Sequence, residues 1–295
     1  MKVYVKEHSF GAGKWIYKGY KDAWSALGYD ARFYTDFSEI DRDDEYDLMA
    51  IDADVKDDNI DTVMKARRSY VYTQPNKFPL PWGSHPNFVS LCPDHIIERL
   101  NKLDNVRQWC FGEVTDNHHK WRNVNYIPLA FDSINYNPVE DERYKFDVCY
   151  IGGWANNGFN EKRKIMIDHF SEIKKLDLKC GIFINRGVSL QQEADILFNS
   201  KIAINIHDAY QREMGCDVNE RTFKALGLNG FLISDDIGAL DRWFDDLPRA
   251  KTAEDMAMLI KEYVNQDLTE IKERNRRVVL DKHTYTHRVE ELLSL

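Results

Sequence analysis

The 295-residue sequence lacks the features that would assign it at once to a membrane, secreted or nucleic-acid-binding class. No apolar stretch is long enough to span a bilayer and the N-terminus has no signal-peptide pattern, so we expect a cytoplasmic protein without a membrane span. The five cysteines are scattered, odd in number and free of C-x-x-C spacing, which favours buried, reduced thiols over a disulfide framework. A formal charge of −9 argues against a protein that holds nucleic acid mainly through its phosphates.

The sequence is long enough for more than one domain, and strand-like and helix-like segments alternate repeatedly along it. A chain of 295 residues predicts two domains or one large one. Such alternation is typical of a doubly wound parallel sheet. In the first half, the pattern predicts strands at 2–6, 31–35, 47–52, 69–73, 88–91 and 124–129, and helices at 15–27 and 94–103.

The second half repeats this plan after a polar stretch, residues 130–142, which we interpret as an interdomain linker. Because the carboxyl ends of parallel strands meet at one edge of a sheet, chemistry-bearing residues there are expected to share a rim, where open α/β sheets bind ligands. The pattern predicts strands at 146–151, 178–184, 201–207, 231–233 and 249–252, and helices at 161–176, 189–198, 220–228, 252–264, 267–280 and 284–293. The residues expected at the rim are His207, Asp208, Arg221, Lys224 and Asp235.

Four segments of the second half resemble one known family. They are CYIGGW at 149–154, LFNSKIAINIH at 197–207, RTFKALGLNGFLISD at 221–235 and HTYTHRVEEL at 283–292. Together they are similar to the CgeB-like glycosyltransferases of the GT-B superfamily. The resemblance implies an α/β fold of two Rossmann-like doubly wound domains facing a cleft. Residues 1–133 would form the acceptor domain and residues 134–282 the nucleotide-sugar domain, with the terminal helix at 283–295 packing back on the first domain.

A glycine turn, with Gly11, Gly13 and Lys14, lies between the first predicted strand and the first predicted helix. Glycines there let backbone N–H groups approach an anion at a helix N-terminus, although the stretch is not a Walker loop. A tight turn without a ligand is the alternative. The resemblance implies that this turn faces the donor sugar and the acceptor, with His8 as a catalytic or orienting residue. The alternative for His8 is a hydrogen-bonded surface histidine.

A second glycine turn follows the opening strand of the second half, at Gly152, Gly153 and Trp154. Its backbone could cradle a diphosphate and Trp154 or Phe159 could stack on a base, whereas a plain turn between strand and helix is the alternative. Arg186 follows a predicted strand directly, which suits a phosphate ligand as well as a solvated surface arginine.

Arg221 and Lys224 lie three residues apart near the N-terminus of one predicted helix. With the helix dipole they predict an anion site, the alternative being salt bridges to Asp217 or Glu220. Lys224 departs from the family pattern. Many GT-B enzymes carry a glutamate there that binds the donor ribose, and a lysine cannot accept from ribose hydroxyls. Either Glu220, Asp235 or a nearby group holds the ribose, or the donor differs.

Metal binding is not expected. Asp235 and Asp236 form an acidic pair, and His283 and His287 are spaced as zinc ligands would be on one helix face. The resemblance nevertheless implies a metal-independent enzyme, and packing of the terminal helix accounts for the two histidines.

We predict a hexosyltransferase-type glycosyltransferase that moves a sugar from a nucleotide-sugar to an acceptor hydroxyl. A UDP-sugar is the expected co-substrate, and no bound cofactor is expected. The acceptor is a glycan, a small molecule or a modified nucleic acid; the compact chain suggests a hydroxylated base in viral DNA. The protein is a monomer or dimer. A non-catalytic nucleotide- or sugar-binding protein and an epimerase are the alternatives.

The candidate donor-binding residues are Gly152, Gly153, Trp154, Arg186, His207, Arg221, Lys224 and Asp235. The candidate substrate residues are Gly11, Gly13, Lys14 and His85. The candidate catalytic residues are His8 and Asp208.

Overall fold

The computed structural model describes residues 1–9, 11–75, 92–154, 161–244 and 246–295. These residues form two compact units, the first comprising Met1–Leu129 with Tyr285–Leu295 and the second Ala130–Thr284. The strands are β1 (Lys2–Lys6), β2 (Asp30–Tyr34), β3 (Tyr46–Ile51), β4 (Arg68–Tyr72), β5 (Val106–Cys110), β6 (Asn125–Tyr126), β7 (Val148–Gly152), β8 (Cys180–Ile184), β9 (Ile202–Asn205), β10 (Leu232–Asp235) and β11 (Arg249–Ala250). The helices are α1 (Gly11–Ala26), α2 (Ile60–Lys65), α3 (Asp94–Leu100), α4 (Glu161–Lys174), α5 (Leu190–Asn199), α6 (Ala209–Met214), α7 (Glu220–Leu228), α8 (Ala253–Tyr263), α9 (Thr269–Lys282) and α10 (Tyr285–Ser294).

The first unit is built on a parallel sheet with strand order β2-β1-β3-β4-β5-β6. Strand β3 lies inside this sheet, and five of its six residues are buried. The three central residues of β1 are buried too, as expected where helices cover a parallel sheet. The strand order reverses between β1 and β3, which makes the carboxyl ends of these two strands the topological switch point of this unit.

The main differences between the predicted and observed elements of the first unit concern four elements. Helix α1 begins at Gly11, four residues before the predicted start, so the glycine turn is the first turn of the helix and not a loop ahead of it. Strand β5 and helix α2 were not predicted, and β6 keeps only two residues of the predicted 124–129. The predicted strand at 88–91, His85 and residues 76–86 of the proline-containing loop lie outside the described residues.

The second unit is built on a parallel sheet with strand order β11-β10-β9-β7-β8. Its order reverses between β7 and β9, so the switch point lies at their carboxyl ends. Helix α7 has the predicted bounds, and Gly230 after it adopts the predicted positive φ, at 79°. Asp235 is the last residue of β10 rather than the first residue beyond it.

Side-chain packing in the described residues follows the two sheets. In the first unit the rings of Tyr20 on α1 and Tyr285 on α10 are 4.8 Å apart, and both side chains are buried. In the second unit, Phe131 N donates to His283 O (2.8 Å) where the chain enters and leaves this unit. All five cysteines are free thiols. Within the described ranges, no helix is long and apolar enough to cross a membrane.

Candidate functional site

The switch point of the second sheet brings the ends of β7 and β9 together. Gly152 ends β7, and Asn205, fully buried, ends β9. Helix α7 starts nearby because Asn219 caps it, with the Asn219 side chain accepting from Thr222 N. This cap is the reason that Arg221, in the first turn of α7, reaches both strand ends.

Arg221 is held at the switch point by hydrogen bonds that leave one end of its guanidinium over Gly152. Its Nε donates to Ile151 O at 2.7 Å, and its Nη1 donates to Asn205 Oδ1 at 2.9 Å. A Cβ added to Gly152 would stand 2.3 Å from Arg221 Nη2. Arg221, the predicted phosphate ligand, can therefore occupy this position only because residue 152 is a glycine.

Asn205 organises the polar groups beneath Arg221. Its Nδ2 donates to Asn219 Oδ1 (3.1 Å) and Thr222 Oγ1 (3.0 Å), and Asn219 Nδ2 donates back to Asn205 Oδ1 (3.0 Å). Buried polar groups with all their partners hold one arrangement, since any other leaves a buried donor or acceptor without a bond. The network therefore fixes Arg221 before any ligand arrives.

His207 and Asp235 form a second buried pair at the same edge. The Nδ1 of His207 is 2.6 Å from Asp235 Oδ1, and the backbone N of His207 donates to Asp235 Oδ2 at 2.9 Å. Arg212 on α6 donates to Asp235 Oδ2 at 2.8 Å. Burial alone would raise the pKa of Asp235, but His207 and Arg212 outweigh it and hold that pKa well below its usual range. Both partners are fully buried, so this pair ties β10 to the segment after β9.

Lys162, on the first turn of α4, is a buried cation that the sequence did not single out. Its side chain is 3% exposed, and its Nζ pairs with Asp208 Oδ1. Burial, together with the nearby Arg221, lowers the pKa of Lys162, and Asp208 opposes that shift. Lys162 and Arg221 place two positive side chains by the switch point.

Lys224 lies in a different surrounding from Arg221, although both are on α7. Its Nζ is 2.9 Å from Glu193 Oε1 on α5 and 3.5 Å from Glu220 Oε2, and Tyr136 OH donates to Glu193 Oε2 at 2.8 Å. Burial opposes the charge of Lys224, but the two carboxylates raise its pKa well above the usual value. The predicted salt bridge to Glu220 is present, and Lys224 links α5 to α7.

The remaining predicted donor residues lie at the margin of this arrangement. Trp154 is half-buried with the Arg163 guanidinium 5.0 Å from its ring centroid, and Gly153 packs beside Asn185. Arg186 is exposed after β8. Phe159 lies outside the described residues. The assignment of all these residues to donor binding stays a prediction.

His8 and three of the predicted substrate residues, Gly11, Gly13 and Lys14, lie near the switch point of the first unit. The His8 ring lies against Gly13, where a Cβ would stand 2.6 Å from His8 Nδ1, and stacks on Tyr17 with centroids 6.0 Å apart. Lys14 is exposed in the first turn of α1, with its Nζ 4.9 Å from the Trp15 ring centroid. The first turn of α1, which begins at Gly11, presents backbone N–H groups that the helix itself does not use.

Asp52 is a buried carboxyl at this second switch point that sequence reasoning missed. It follows β3 directly, is fully buried, and accepts from Ala53 N at 2.7 Å and Gln74 N at 2.9 Å. Burial raises its pKa to about 7, and the two backbone donors oppose that shift. Only its position after an apolar strand could have identified it.

In the part of the chain that the structure describes, no group of three or more His, Cys, Asp or Glu side chains could hold a metal ion. Asp235 is engaged by His207 and Arg212. His283 lies among the rings of Phe223, Trp243 and Phe244, at centroid distances of 5.6, 5.4 and 5.7 Å.

Two parallel, doubly wound units are typical of the GT-B fold, and comparison with solved structures confirms that fold. The chain is similar to T4 phage BGT in complex with UDP-glucose, with a TM-score of 0.58, 12% identity and coverage of 98% of this chain and 97% of that one. AviGT4, a glycosyltransferase involved in avilamycin A biosynthesis, matches with a TM-score of 0.53, 11% identity and coverage of 99% and 96%. An E. coli trehalose-6-phosphate structure bound with UDP-2-fluoro glucose matches with a TM-score of 0.52, 8% identity and coverage of 97% and 78%.

A family model then identifies the chain more closely. The model described as glycosyl transferase-like matches residues 143–294, more than half of the sequence, so the chain belongs to this glycosyltransferase family. The CgeB-like resemblance drawn from the four sequence segments is thereby confirmed. A search of curated protein sequences found no significant match.

Proposed function

We propose that the protein is a glycosyltransferase that uses a UDP-sugar, and that the second unit binds the donor diphosphate at the switch point between β7 and β9. The observation that carries the proposal is the placement of Arg221. Arg221 donates to Ile151 O, Asn205 Oδ1 and Ile206 O, and its Nη2 lies over Gly152. A guanidinium held in this way offers N–H donors in the fork geometry that phosphate oxygens accept.

Lys162 supports the same ligand. The Arg221 guanidinium is close enough to disfavour the charge on the Lys162 ammonium, an arrangement that a diphosphate relieves. In the reaction, the bond between the sugar anomeric carbon and the β-phosphate oxygen breaks, and the bond to the acceptor oxygen forms. Negative charge then grows on the departing UDP, where Arg221 and Lys162, already in position, stabilise it.

The first unit supplies the acceptor side in this proposal. His8 is held against Gly13 and Tyr17 at the end of β1 and would take the proton that the acceptor hydroxyl loses. Gly11, Gly13 and Lys14 form the first turn of α1, whose N–H groups would orient the acceptor. Asp208, paired with Lys162, belongs to the donor side of this scheme.

A hydroxylated base in DNA is one candidate acceptor. Structures of T4 phage BGT and of the DNA modifying enzyme β-glucosyltransferase both match this chain over almost their whole length, with TM-scores of 0.58 and 0.54. The charge of the first unit counts against a large phosphate contribution, since it has 18 Lys and Arg against 22 Asp and Glu, a net −4. Transfer of labelled glucose from UDP-glucose to hydroxymethylated DNA, measured at 50 and 200 mM salt beside sugar and small-alcohol acceptors, distinguishes the acceptor classes.

The donor proposal is tested by thermal unfolding with UDP, GDP, CDP, dTDP and ADP. A nucleotide at one hundred times its dissociation constant stabilises the folded state by about 2.7 kcal/mol, which shifts the midpoint visibly. We expect UDP to stabilise the wild type and not Arg221→Ala, while the control Arg274→Ala, an exposed arginine of α9, responds as the wild type does. No response to UDP would contradict the proposal. Stabilisation by UDP without release of UDP from UDP-glucose in the presence of acceptors would identify a non-catalytic binding protein.

A further inference from the structure

Asp208, a predicted catalytic residue, lies against a buried cation in the second unit. Asp208 is the N-cap residue of α6, and its backbone N donates to Gln211 Oε1 at 3.1 Å. One carboxylate oxygen pairs with Lys162 Nζ. The Asp208 side chain is 23% exposed, while that of Lys162 is 3% exposed, so the carboxylate lies between the buried cation and solvent.

The groups that face Lys162 come from three other elements. They are Arg221 of α7, Asp208 at the start of α6, and Asp235 of β10. Asp235 already accepts from His207 and Arg212, so its charge is largely met by these partners. Arg221 repels the Lys162 ammonium, and burial removes its water. Asp208 is thus the acidic group in direct contact with Lys162 among the described residues, and burial without it disfavours the charged amine.

We propose that Asp208 is a positioning residue that keeps Lys162 charged and aimed at the switch point until the donor diphosphate arrives and takes over as its counter-ion. The inference rests on the proposed donor site. Its physical basis is that an amine buried beside a guanidinium loses its proton readily, and a neutral amine attracts a diphosphate far less. Asp208 therefore sets the pH range over which Lys162 adds its charge to that of Arg221, rather than touching the reacting atoms.

The test is the affinity for UDP of Asp208→Asn, measured by titration calorimetry from pH 6 to pH 9. Asparagine caps helices about as well as aspartate and can still accept from Lys162, so the substitution removes charge and little else. At each pH the variant's dissociation constant is divided by that of the wild type, which cancels the titration of UDP itself. We expect a ratio within about threefold at pH 6 that rises toward tenfold per pH unit once the Lys162 amine of the variant titrates.

Two further variants make the result interpretable. Lys162→Met should weaken UDP binding at every pH, and Asp208→Asn in the Lys162→Met background should show a ratio that does not change with pH. Asp168→Asn, an exposed aspartate on α4, serves as the matched control and should keep a ratio near one. A ratio for Asp208→Asn that is constant from pH 6 to pH 9 would overturn the inference and indicate a merely structural cap. Failure of the wild type to bind UDP would instead refute the proposed function.

Discussion

The contact between Gly152 and Arg221 yields the sharpest prediction, because one added methyl group should disable the donor site. In Gly152→Ala the new Cβ would stand 2.3 Å from Arg221 Nη2, 2.9 Å from Arg221 Cζ and 3.0 Å from Tyr150 OH. The guanidinium cannot move aside freely, because its Nε and Nη1 are bonded to Ile151 O and Asn205 Oδ1. Arg221 must therefore leave its position over the end of β7.

The expected magnitude follows from the hydrogen bonds that a displaced arginine no longer makes. A hydrogen bond to a charged group contributes about 1.5 to 3 kcal/mol. Loss of one such bond to the diphosphate weakens UDP binding by about 10- to 150-fold. Asn205 Oδ1 still accepts from Asn219 Nδ2, but it loses its hydrogen bond from the charged guanidinium, which lowers the free energy of unfolding by about 1.5 to 3 kcal/mol.

The assay is calorimetric titration with UDP, combined with urea unfolding, for the wild type, Gly152→Ala and Gly238→Ala. Gly238→Ala is the matched control, because its added methyl would stand 3.6 Å from Gly215 O, an ordinary contact. A double-mutant cycle with Arg221→Ala isolates the mechanism, since Gly152→Ala should have little further effect once the arginine is gone. An unchanged UDP affinity in Gly152→Ala, or the same loss in both backgrounds, would refute this reasoning.

Three further predictions concern buried charges. Asp52 has a raised pKa, so the folded state binds its proton more tightly than the unfolded chain does. As pH rises from about 4 to about 7, the free energy of unfolding should therefore fall by about 4 kcal/mol. Urea unfolding at a series of pH values should show this slope in the wild type and a flatter one in Asp52→Asn. Asp235→Ala removes the partner of buried His207 and should lower the free energy of unfolding by about 3 to 5 kcal/mol at pH 7; a loss below 1 kcal/mol in urea unfolding would contradict the packing described. Lys224→Met leaves Glu193 buried without its cation and should lower the free energy of unfolding by a similar amount. Adding Glu193→Gln to Lys224→Met should restore part of this loss, which thermal unfolding of the single and double variants would measure.

Much of the fold follows from local patterns in the sequence. The alternation of apolar runs and helical spacing predicts both parallel sheets, and the Asn219 cap with Gly230 sets the bounds of α7. Strand β5 escaped prediction because Arg107 and Gln108 interrupt its apolar pattern. Helix α6 was not predicted because six residues are too few to show a helical period of apolar positions.

The site is less predictable than the fold, because its chemistry depends on which side chains meet. Arg221 and Gly152 are each visible as a candidate in the sequence, but their contact is a property of the sheet order. Lys162 stands in the charged run EKRK, where a solvated helix face is the ordinary interpretation, and only tertiary burial distinguishes it from its neighbours. Lys224 differs again, since its partner Glu193 lies on another helix, 31 residues earlier in the chain.

The division of the first unit between the two ends of the chain has a consequence for synthesis. Helix α10 packs Tyr285 against Tyr20, yet 155 residues of the second unit, Ala130–Thr284, are translated in between. At roughly 5 to 20 residues per second, the ribosome delivers α10 about 8 to 30 s after Leu129. For that interval the apolar surface that α10 covers, including the ring of Tyr20, stays open while the second unit emerges. The cell must therefore keep the first unit from aggregating until its last helix arrives.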